Sequence, residues 1–264
     1  MILNFINWDV NPEIFSIGNF GIRWYGVLFA LSFYLGYVIL SRIFKKEGIP
    51  DELLDKLTIY MVLGIVIGAR LGHCFFYESD YYLNNPIQIL NIRQGGLASH
   101  GAAIGSLIVL FIFAKKSKKT YLWTLDRVVI VVALAAFFVR MGNLINSEIY
   151  GIETNLPWGF IFIRNNEVVP KHPTQIYEGI SYLLIFFFLY SIYNRKQGVL
   201  KEGLLFSLFL MILFTVRFLI EFIKEDQVAF ESGMALNMGQ LLSIPFVLIG
   251  IVILFRAVRK KSVN

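Results

Sequence analysis

The stretch WTLDRVVIVVALAAFFVRMGNLI, residues 123–145, decides the class of fold. It is apolar over about the 20 residues that an α-helix needs to cross a bilayer, and Arg140 interrupts it near its end. Six further stretches are similarly apolar, so the sequence predicts an all-α membrane protein of about seven transmembrane helices, folded as a single polytopic domain over residues 1–264. The expected spans are Gly21–Phe44, Leu53–Tyr77, Gly96–Ala114, Trp123–Ile145, Gln175–Tyr193, Gly203–Phe222 and Gly239–Ala257.

The composition agrees with this class. Hydrophobic residues make up 57% of the chain and charged residues 16%, whereas soluble domains carry about 25% charged residues. In a soluble protein, a net charge of +6 would suggest nucleic-acid binding as a function. Here the basic residues form short clusters between apolar runs, so we expect the lipid bilayer, and no nucleic acid, as a partner. The single cysteine, Cys74, lies in an apolar run and is interpreted as a small buried side chain.

The distribution of Lys and Arg predicts the orientation, because cytoplasmic loops carry an excess of these residues. Basic clusters follow the first, third, fifth and seventh spans, and the opposite loops carry only scattered basic residues. The N-terminus is therefore expected outside and the C-terminus in the cytoplasm. The clusters are Arg42, Lys45 and Lys46; Lys115, Lys116, Lys118 and Lys119; Arg195, Lys196 and Lys201; and Arg256, Arg259, Lys260 and Lys261, and the scattered residues are Arg93, Arg164, Lys171 and Lys224.

Two segments are expected on the outer side. Residues 146–174, between helices 4 and 5, are rich in turn residues and too long for a mere connector, which predicts a small extracytoplasmic head. Residues 1–18 contain no Lys or Arg, which argues against a secretory signal peptide. With Phe5, Trp8 and Phe15 as aromatic anchors, this segment is interpreted as an amphipathic lead into the first span.

Three arginines interrupt the predicted spans. Arg70, Arg140 and Arg217 each lie in an outward-running span, about 20–25 Å from its inner end. A charge inside the membrane costs about 2.5 kcal/mol or more, so it is a functional candidate by default. Any one of them could snorkel towards the interface, but three at a similar depth favour a shared role. Arginine offers a permanent charge and a planar fork of donors, which suits the phosphate of an outer-leaflet lipid.

His100 and an acidic partner for Arg217 add to this layer. His100 lies near the outer end of the third span among small residues, which permit a close helix approach or a substrate cavity. Both a structural and a catalytic role are open for it. Arg217 and Glu221 are spaced i, i+4 on one helix face. They are expected either to neutralise each other or to let Glu221 orient Arg217 towards a phosphate.

The exit of the fourth span is unusually polar. Arg140 and Asn143 share a helix face, and Asn146 and Glu148 add an amide and a carboxylate before Gly151 ends the run. These side chains either cap the loop or bind a substrate at the rim of the membrane.

At these positions the chain resembles the prolipoprotein diacylglyceryl transferase family. The most specific match is Arg140-x-Gly-Asn143-x-x-Asn146-x-Glu148-x-x-Gly151, which is similar to the family signature. Two departures, Ala102 with Ala103 and Leu144, keep small or apolar character. The supporting matches are Arg23-Trp-Tyr25-Gly26, His100-Gly101, His172-Pro-x-Gln175-x-Tyr177-Glu178, Arg217-x-x-x-Glu221 and Met238-Gly-Gln240.

The resemblance implies transfer of diacylglyceryl from phosphatidylglycerol to the lipobox cysteine of a prolipoprotein signal peptide, in the bacterial cytoplasmic membrane with the site towards the outer leaflet. It implies no cofactor and no metal. The expected catalytic residues are His100, as base for the substrate thiol, with Arg140 and Arg217. The expected substrate-binding residues are Tyr25, Asn143, Asn146, Glu148, Gly151 and Glu221, to which the depth of Arg70 adds that residue.

Two other classes of function stay open at this point. A transporter would place its site near the midplane, often on broken helices in internal repeats, whereas the charges here lie towards one face. A non-catalytic lipid-binding factor would use the same arginines without chemistry. Formation of product from labelled lipid separates both from an enzyme.

Overall fold

The computed structural model describes residues 5–18, 20–91, 95–226, 231 and 233–259. Arg93, Lys260 and Lys261, which contribute to the predicted orientation, lie outside these residues. The long helices are α1 Trp24–Lys46, α2 Asp51–Phe76, α4 Ser99–Lys116, α5 Tyr121–Ile145, α6 Thr174–Arg195, α7 Leu204–Ile220 and α8 Met238–Arg259, and a short helix, α3, covers Ser79–Asn84.

Within the described residues, seven helices are long and apolar enough to cross a membrane. These seven are α1, α2, α4, α5, α6, α7 with its 3₁₀ extension Glu221–Ile223, and α8, which confirms the predicted multi-pass, all-α class. Basic residues occupy the last turn of α1, α4, α6 and α8, where they also complement the carboxyl end of the helix dipole. The orientation itself stays a prediction.

The first span begins later than predicted. Its expected start, Gly21, lies in a strand, β3 Phe20–Arg23, which pairs antiparallel with β2 Glu13–Ile17. The helix begins at Trp24 because the preceding backbone is engaged in this hairpin. Of the amphipathic lead predicted for residues 1–18, Ile6–Trp8 and Glu13–Ile17 form strands, and residues 1–4 lie outside the described residues.

The chain forms two compact units, one of residues 1–39 with 126–264 and the other of residues 40–125. In the second unit, α2 and α4 approach along small residues. A side chain at Gly68 would collide with the carbonyl oxygen of Gly101, and one at Gly105 with that of Gly64. Such small-residue seams let helix backbones touch in a membrane. Cys74 lies in this unit, fully buried and free, as its apolar surroundings predict.

In the first unit, the N-terminal segment joins the predicted head. Strand β1, Ile6–Trp8, pairs in parallel with β4, Phe160–Phe162. Trp8 also donates its indole N–H to the carbonyl oxygen of Leu144 at 2.9 Å, at the end of α5. Paired strands must lie on the same side of the membrane, so the chain must cross it an even number of times between β1 and β4. The four spans between them, α1, α2, α4 and α5, meet this requirement. The assignment of residues 146–174 to an extracytoplasmic head stays a prediction.

Candidate active site

The carboxyl end of α5 carries a chain of hydrogen bonds that begins at Arg140. Its Nη1 donates to Oδ1 of Asn143 at 3.0 Å, one turn further along the helix. Nδ2 of Asn143 donates to Oε1 of Glu148 at 2.7 Å, and Nδ2 of Asn146 reaches the same oxygen at 3.2 Å. Hydrogen bonds to a carboxylate are stronger than neutral ones. Glu148 therefore fixes both amides and, through Asn143, one edge of the guanidinium.

A strained turn brings Glu148 back to the helix. Ser147 and Ile149 adopt φ values of 56° and 62°, a left-handed conformation that is costly for a β-branched residue such as isoleucine. The backbone N–H of Glu148 donates to the carbonyl oxygen of Asn143 at 3.0 Å. Nε2 of Gln175 donates to the carbonyl oxygen of Glu148 at 2.7 Å. These bonds hold the turn and place the carboxylate beside the two asparagines.

A buried carboxylate, Glu178 of α6, lies between two cations. Its Oε2 lies 2.7 Å from Nε of Arg140, and its Oε1 lies 3.2 Å from Nζ of Lys224. Nζ of Lys224 also lies 3.4 Å from Oε2 of Glu221. The Glu178 side chain has no exposed surface and that of Lys224 is 2% exposed. Removal of one partner from such a buried pair leaves an uncompensated charge. We call Arg140, Glu178, Lys224 and Glu221 the buried charge row.

Lys224 directly follows the membrane-spanning segment that ends at Ile223. Burial lowers the pKa of its ammonium below the usual range, and the charges of Glu178 and Glu221 oppose that change. The two carboxylates therefore favour the charged form of Lys224. Loss of either carboxylate favours the neutral amine.

The pair expected between Arg217 and Glu221 is not formed. The Glu221 carboxylate contacts Lys224 instead, because three residues of chain carry Lys224 back over the end of α7. Within the part of the chain that the structure describes, the Arg217 guanidinium has neither a hydrogen bond nor an ion pair. It is partly buried and close enough to Lys224 to repel its charge. Among the described residues, Arg217 is thus a partly buried cation with no ion-paired carboxylate.

Two glycines let other parts of the site approach closely. A side chain at Gly142 would meet the ring of Tyr25, with its Cβ 2.6 Å from the ring Cδ2, so the glycine seats Tyr25 against α5. A side chain at Gly151 would collide with the carbonyl oxygen of Ile223, and Gly151 forms a β-bridge with Lys224. Gly151 therefore holds the segment that carries Lys224 against the turn after α5.

Arg70 belongs to the other unit and is engaged by backbone. Its side chain donates to five carbonyl oxygens of the following loop, which belong to Gln88, Ile89, Asn91, Gly95 and Gly96. Arginine has five N–H donors, so this fork is saturated, and its guanidinium also lies over the ring of Tyr82. The geometry favours a structural role for Arg70 over the predicted binding of lipid.

His100 also lies in the unit of residues 40–125. It occupies the first turn of α4, next to Gly101, which packs against Gly68 and Gly72 of α2. The small residues around it therefore serve the close approach of two helices, one of the two expected uses. The imidazole is exposed and forms no hydrogen bond or ion pair with the other described residues of its unit. Nothing in its packing demands a histidine at this position.

The predicted site residues thus fall in both units. Arg70 and His100 belong to the unit of residues 40–125, and all the others belong to the unit of residues 1–39 with 126–264. Sequence reasoning missed two members of the buried charge row. Glu178 was part of a supporting motif only, although an acidic residue inside a span is a functional signal in itself. Lys224 counted only as a scattered basic residue of an outer loop. No group of metal-ligating side chains occurs among the described residues.

Comparison with known proteins points to one family. A family model described as prolipoprotein diacylglyceryl transferase matches residues 12–256. The chain is 44% identical to a phosphatidylglycerol–prolipoprotein diacylglyceryl transferase of Chloroherpeton thalassium over 262 residues, 99% of this chain and 97% of the relative. Proteins of the same name from Tolumonas auensis and Bacteroides fragilis are 44% and 42% identical. The first match covers 97% of this chain and 98% of the relative, and the second 98% of each.

Proposed function

Because the chain belongs to the prolipoprotein diacylglyceryl transferase family and transfers a diacylglyceryl group from phosphatidylglycerol to prolipoproteins, we propose that Arg140 and Arg217 bind the lipid phosphate and that His100 accepts the proton of the attacking thiol. The relatives are named as transferases, so neither a transporter nor a non-catalytic lipid-binding factor is retained as an alternative.

Arg217 has no counter-ion among the described residues, and this observation carries the proposal. Glu221 contacts Lys224, and among the described residues no carboxylate forms an ion pair with Arg217. A partly buried cation of this kind gains most from an anionic ligand, because the low local dielectric strengthens the attraction. A phosphodiester supplies one negative charge and several acceptor oxygens, which match the planar donor fork.

Arg140 would hold the same phosphate from a fixed position. Its Nε edge contacts Glu178 and one Nη1 N–H donates to Asn143. The Arg140 guanidinium thus has N–H groups left to bind a ligand, whereas all those of Arg70 are used by backbone carbonyls. Donors that are oriented before the reaction stabilise charge as it develops on a leaving group.

The acceptor would be the thiol of the lipobox cysteine in the prolipoprotein signal peptide. His100 takes the thiol proton, since histidine titrates near neutral pH and the thiolate is the nucleophile. Sulfur attacks the glycerol carbon that bears the phosphate, a C–S bond forms, the C–O bond breaks, and glycerol phosphate leaves with the electron pair. Cys74 of the enzyme is fully buried and takes no part.

The remaining predicted residues, apart from Arg70, would shape the substrate site. Asn143, Asn146 and Glu148 form one hydrogen-bonded group beside Arg140, and Tyr25 packs against the same helix. Gly151 and Glu221 act through the segment that carries Lys224. Arg70 supports the loop that precedes α4.

The chain is a multi-pass membrane protein of a bacterial family. We further propose that it resides in the cytoplasmic membrane with the N-terminus outside, and that the site faces the outer leaflet. The basic residues in the last turns of α1, α4, α6 and α8 support this orientation.

The test uses purified protein in mixed micelles with labelled phosphatidylglycerol and a lipobox peptide. We expect thioether-linked diacylglyceryl peptide and glycerol phosphate in equal amounts. Arg217→Gln should lower kcat/KM by about 10²–10³, whereas Arg195→Gln, at the exposed end of α6, should match wild type. Equal turnover in Arg217→Gln and wild type would remove Arg217 from phosphate binding.

A further inference from the structure

We propose that Glu178 is a positioning residue that orients Arg140 for the reaction, and that Lys224 holds Glu178 in place and balances its charge. This inference rests on the proposed role of Arg140 in binding phosphate. Glu178 contacts Arg140 directly and Lys224 contacts Glu178, so each would act through Arg140.

The first support is the geometry around the guanidinium. Glu178 Oε2 lies 2.7 Å from Nε of Arg140, and Asn143 accepts from Nη1 on another edge. The hydroxyl of Tyr182 donates to Glu178 Oε1 at 3.4 Å and also bonds to Arg140. A planar group held at several points has a defined plane and direction. Misplacement of a catalytic group by about 1 Å can cost about 100-fold in rate.

The second support is that Glu178 is itself fixed. It has no exposed surface and lies in the first turns of α6, so backbone and packing determine its position. Lys224 holds its other oxygen at 3.2 Å. A carboxylate that bridges two cations cannot rotate towards one without leaving the other. Glu178 therefore sets the place of Arg140, rather than following it.

The third support is the balance of charge. The buried charge row alternates in sign, as cation, anion, cation, anion. Nearby, Glu148 and Arg217 add one charge of each sign. Removal of Glu178 gives the site an excess positive charge, and removal of Lys224 gives it an excess negative charge. The two changes should therefore shift the binding of an anionic lipid in opposite directions.

Glu178→Gln keeps the size of the side chain but loses the ion pair. We expect kcat to fall about 100-fold, while KM for phosphatidylglycerol stays level or decreases. Glu178→Asp keeps the charge one methylene further away, and it should recover part of the loss. A solely structural Glu178 would instead lower the amount of folded enzyme and leave kcat per folded molecule unchanged.

Lys224→Met removes the charge but keeps a long apolar side chain. Glu178 keeps its contact with Arg140 in this variant but loses the one that fixes its other oxygen, so kcat should fall about tenfold, less than in Glu178→Gln. KM for phosphatidylglycerol should rise about tenfold, because the site carries an excess negative charge. A fall in kcat as large as that of Glu178→Gln, with KM unchanged, would contradict this division of roles.

The double variant Glu178→Gln/Lys224→Met restores the balance of charge, so it can be assayed even if the single variants fold poorly. It separates the positioning of Arg140 by Glu178 from a role of Glu178 in charge balance alone. We expect thermal stability close to wild type and the low kcat of Glu178→Gln. A wild-type kcat in the double variant overturns the proposal, because charge balance alone would then suffice. Glu202→Gln, an exposed carboxylate outside the row, is the matched control and should behave as wild type.

Arg140→Ala, assayed in parallel, distinguishes the two levels of failure. If Arg140→Ala turns over phosphatidylglycerol normally, the proposed phosphate-binding role of Arg140 is wrong. The positioning role of Glu178, which rests on it, is then wrong as well. If Arg140→Ala is inactive but the double variant has a wild-type kcat, only the positioning role of Glu178 is wrong.

Discussion

Nε of Arg140 lies 2.7 Å from Oε2 of Glu178, so a cation of α5 and a carboxylate of α6 meet inside the membrane-spanning part of the chain. The contact is an ion pair without hydrogen-bond geometry, and Nη1 donates to Asn143, so the guanidinium keeps further donors. Lysine has one compact ammonium and cannot divide its donors between two separated partners in this way. A site built on this relationship should therefore depend on arginine itself, and not only on positive charge.

The first prediction concerns that dependence. Arg140→Lys should lower kcat/KM by about 10²–10³, because the ammonium can satisfy Glu178 or the phosphate but not both in the same geometry. Arg195→Lys, at the exposed end of α6, is the control and should match wild type. Steady-state kinetics with phosphatidylglycerol measure both. Near-normal turnover in Arg140→Lys would reduce the residue to a point charge.

The second prediction concerns Arg70, for which sequence and structure suggest different roles. Arg70→Ala removes five hydrogen bonds to the loop of residues 88–96. We expect a loss of stability of about 2–4 kcal/mol, seen as a lower melting temperature in detergent. The folded fraction should keep the wild-type KM for phosphatidylglycerol. A raised KM at normal stability would restore the lipid-binding role that depth alone suggested.

The third prediction tests His100 as the base. His100→Gln should fold normally, because the imidazole is exposed and forms no hydrogen bond with the described residues of its unit. Turnover should fall about 10²–10⁴-fold at neutral pH. The deficit should shrink as pH rises past about 8.5, where the substrate thiol ionises without a base. The pH–rate profiles of both proteins decide this, and a deficit that is constant from about pH 7 to 9.5 would exclude His100 as the base.

The fourth prediction concerns the seat of Tyr25. Gly142→Ala places a methyl group 2.6 Å from the ring of Tyr25, so the ring must move away from α5. We expect a marked fall in kcat/KM, of about tenfold or more. Gly36→Ala is the matched control, because its methyl group would meet Val131 at an ordinary 3.6 Å. Equal activity of the two variants would show that the ring is not needed against this helix.

The fifth prediction concerns topology. Reporters fused after Lys116 or Lys196 should read as cytoplasmic, and a reporter inserted within residues 155–166 as external, because of the bias in Lys and Arg. A positive signal for the opposite compartments would invert the proposed orientation. It would also place the buried charge row towards the inner leaflet.

The spans were predictable because composition alone determines which segments dissolve in lipid. Every predicted span corresponds to a helix, with ends shifted by a few residues. The chain of Arg140, Asn143 and Glu148 was also within reach, because residues one turn apart share a helix face. These features depend on local sequence, which a single chain displays directly.

Features that depend on distant contacts were not predictable. The five carbonyl partners of Arg70 come from a loop whose backbone path the sequence does not reveal. One local pairing was also predicted wrongly: Glu221 was expected to pair with Arg217 at i, i+4, but its carboxylate contacts Lys224 at i+3. The contact of Glu178 with Arg140 depends on the packing of α6 against α5, which the sequence alone does not reveal.

The parallel pairing of β1 with β4 has a consequence for biosynthesis. Ile6 lies opposite Phe160 in the register, so the first strand is made about 150 residues before its partner. At about 5–20 residues per second, the ribosome needs roughly 8–30 s to supply it. During that interval four spans are synthesised while the edge of β1 that pairs with β4 stays unpaired. The β1–β4 pair can therefore form only after the first four long helices have been made, so its formation reports that the amino-terminal half of the chain is complete.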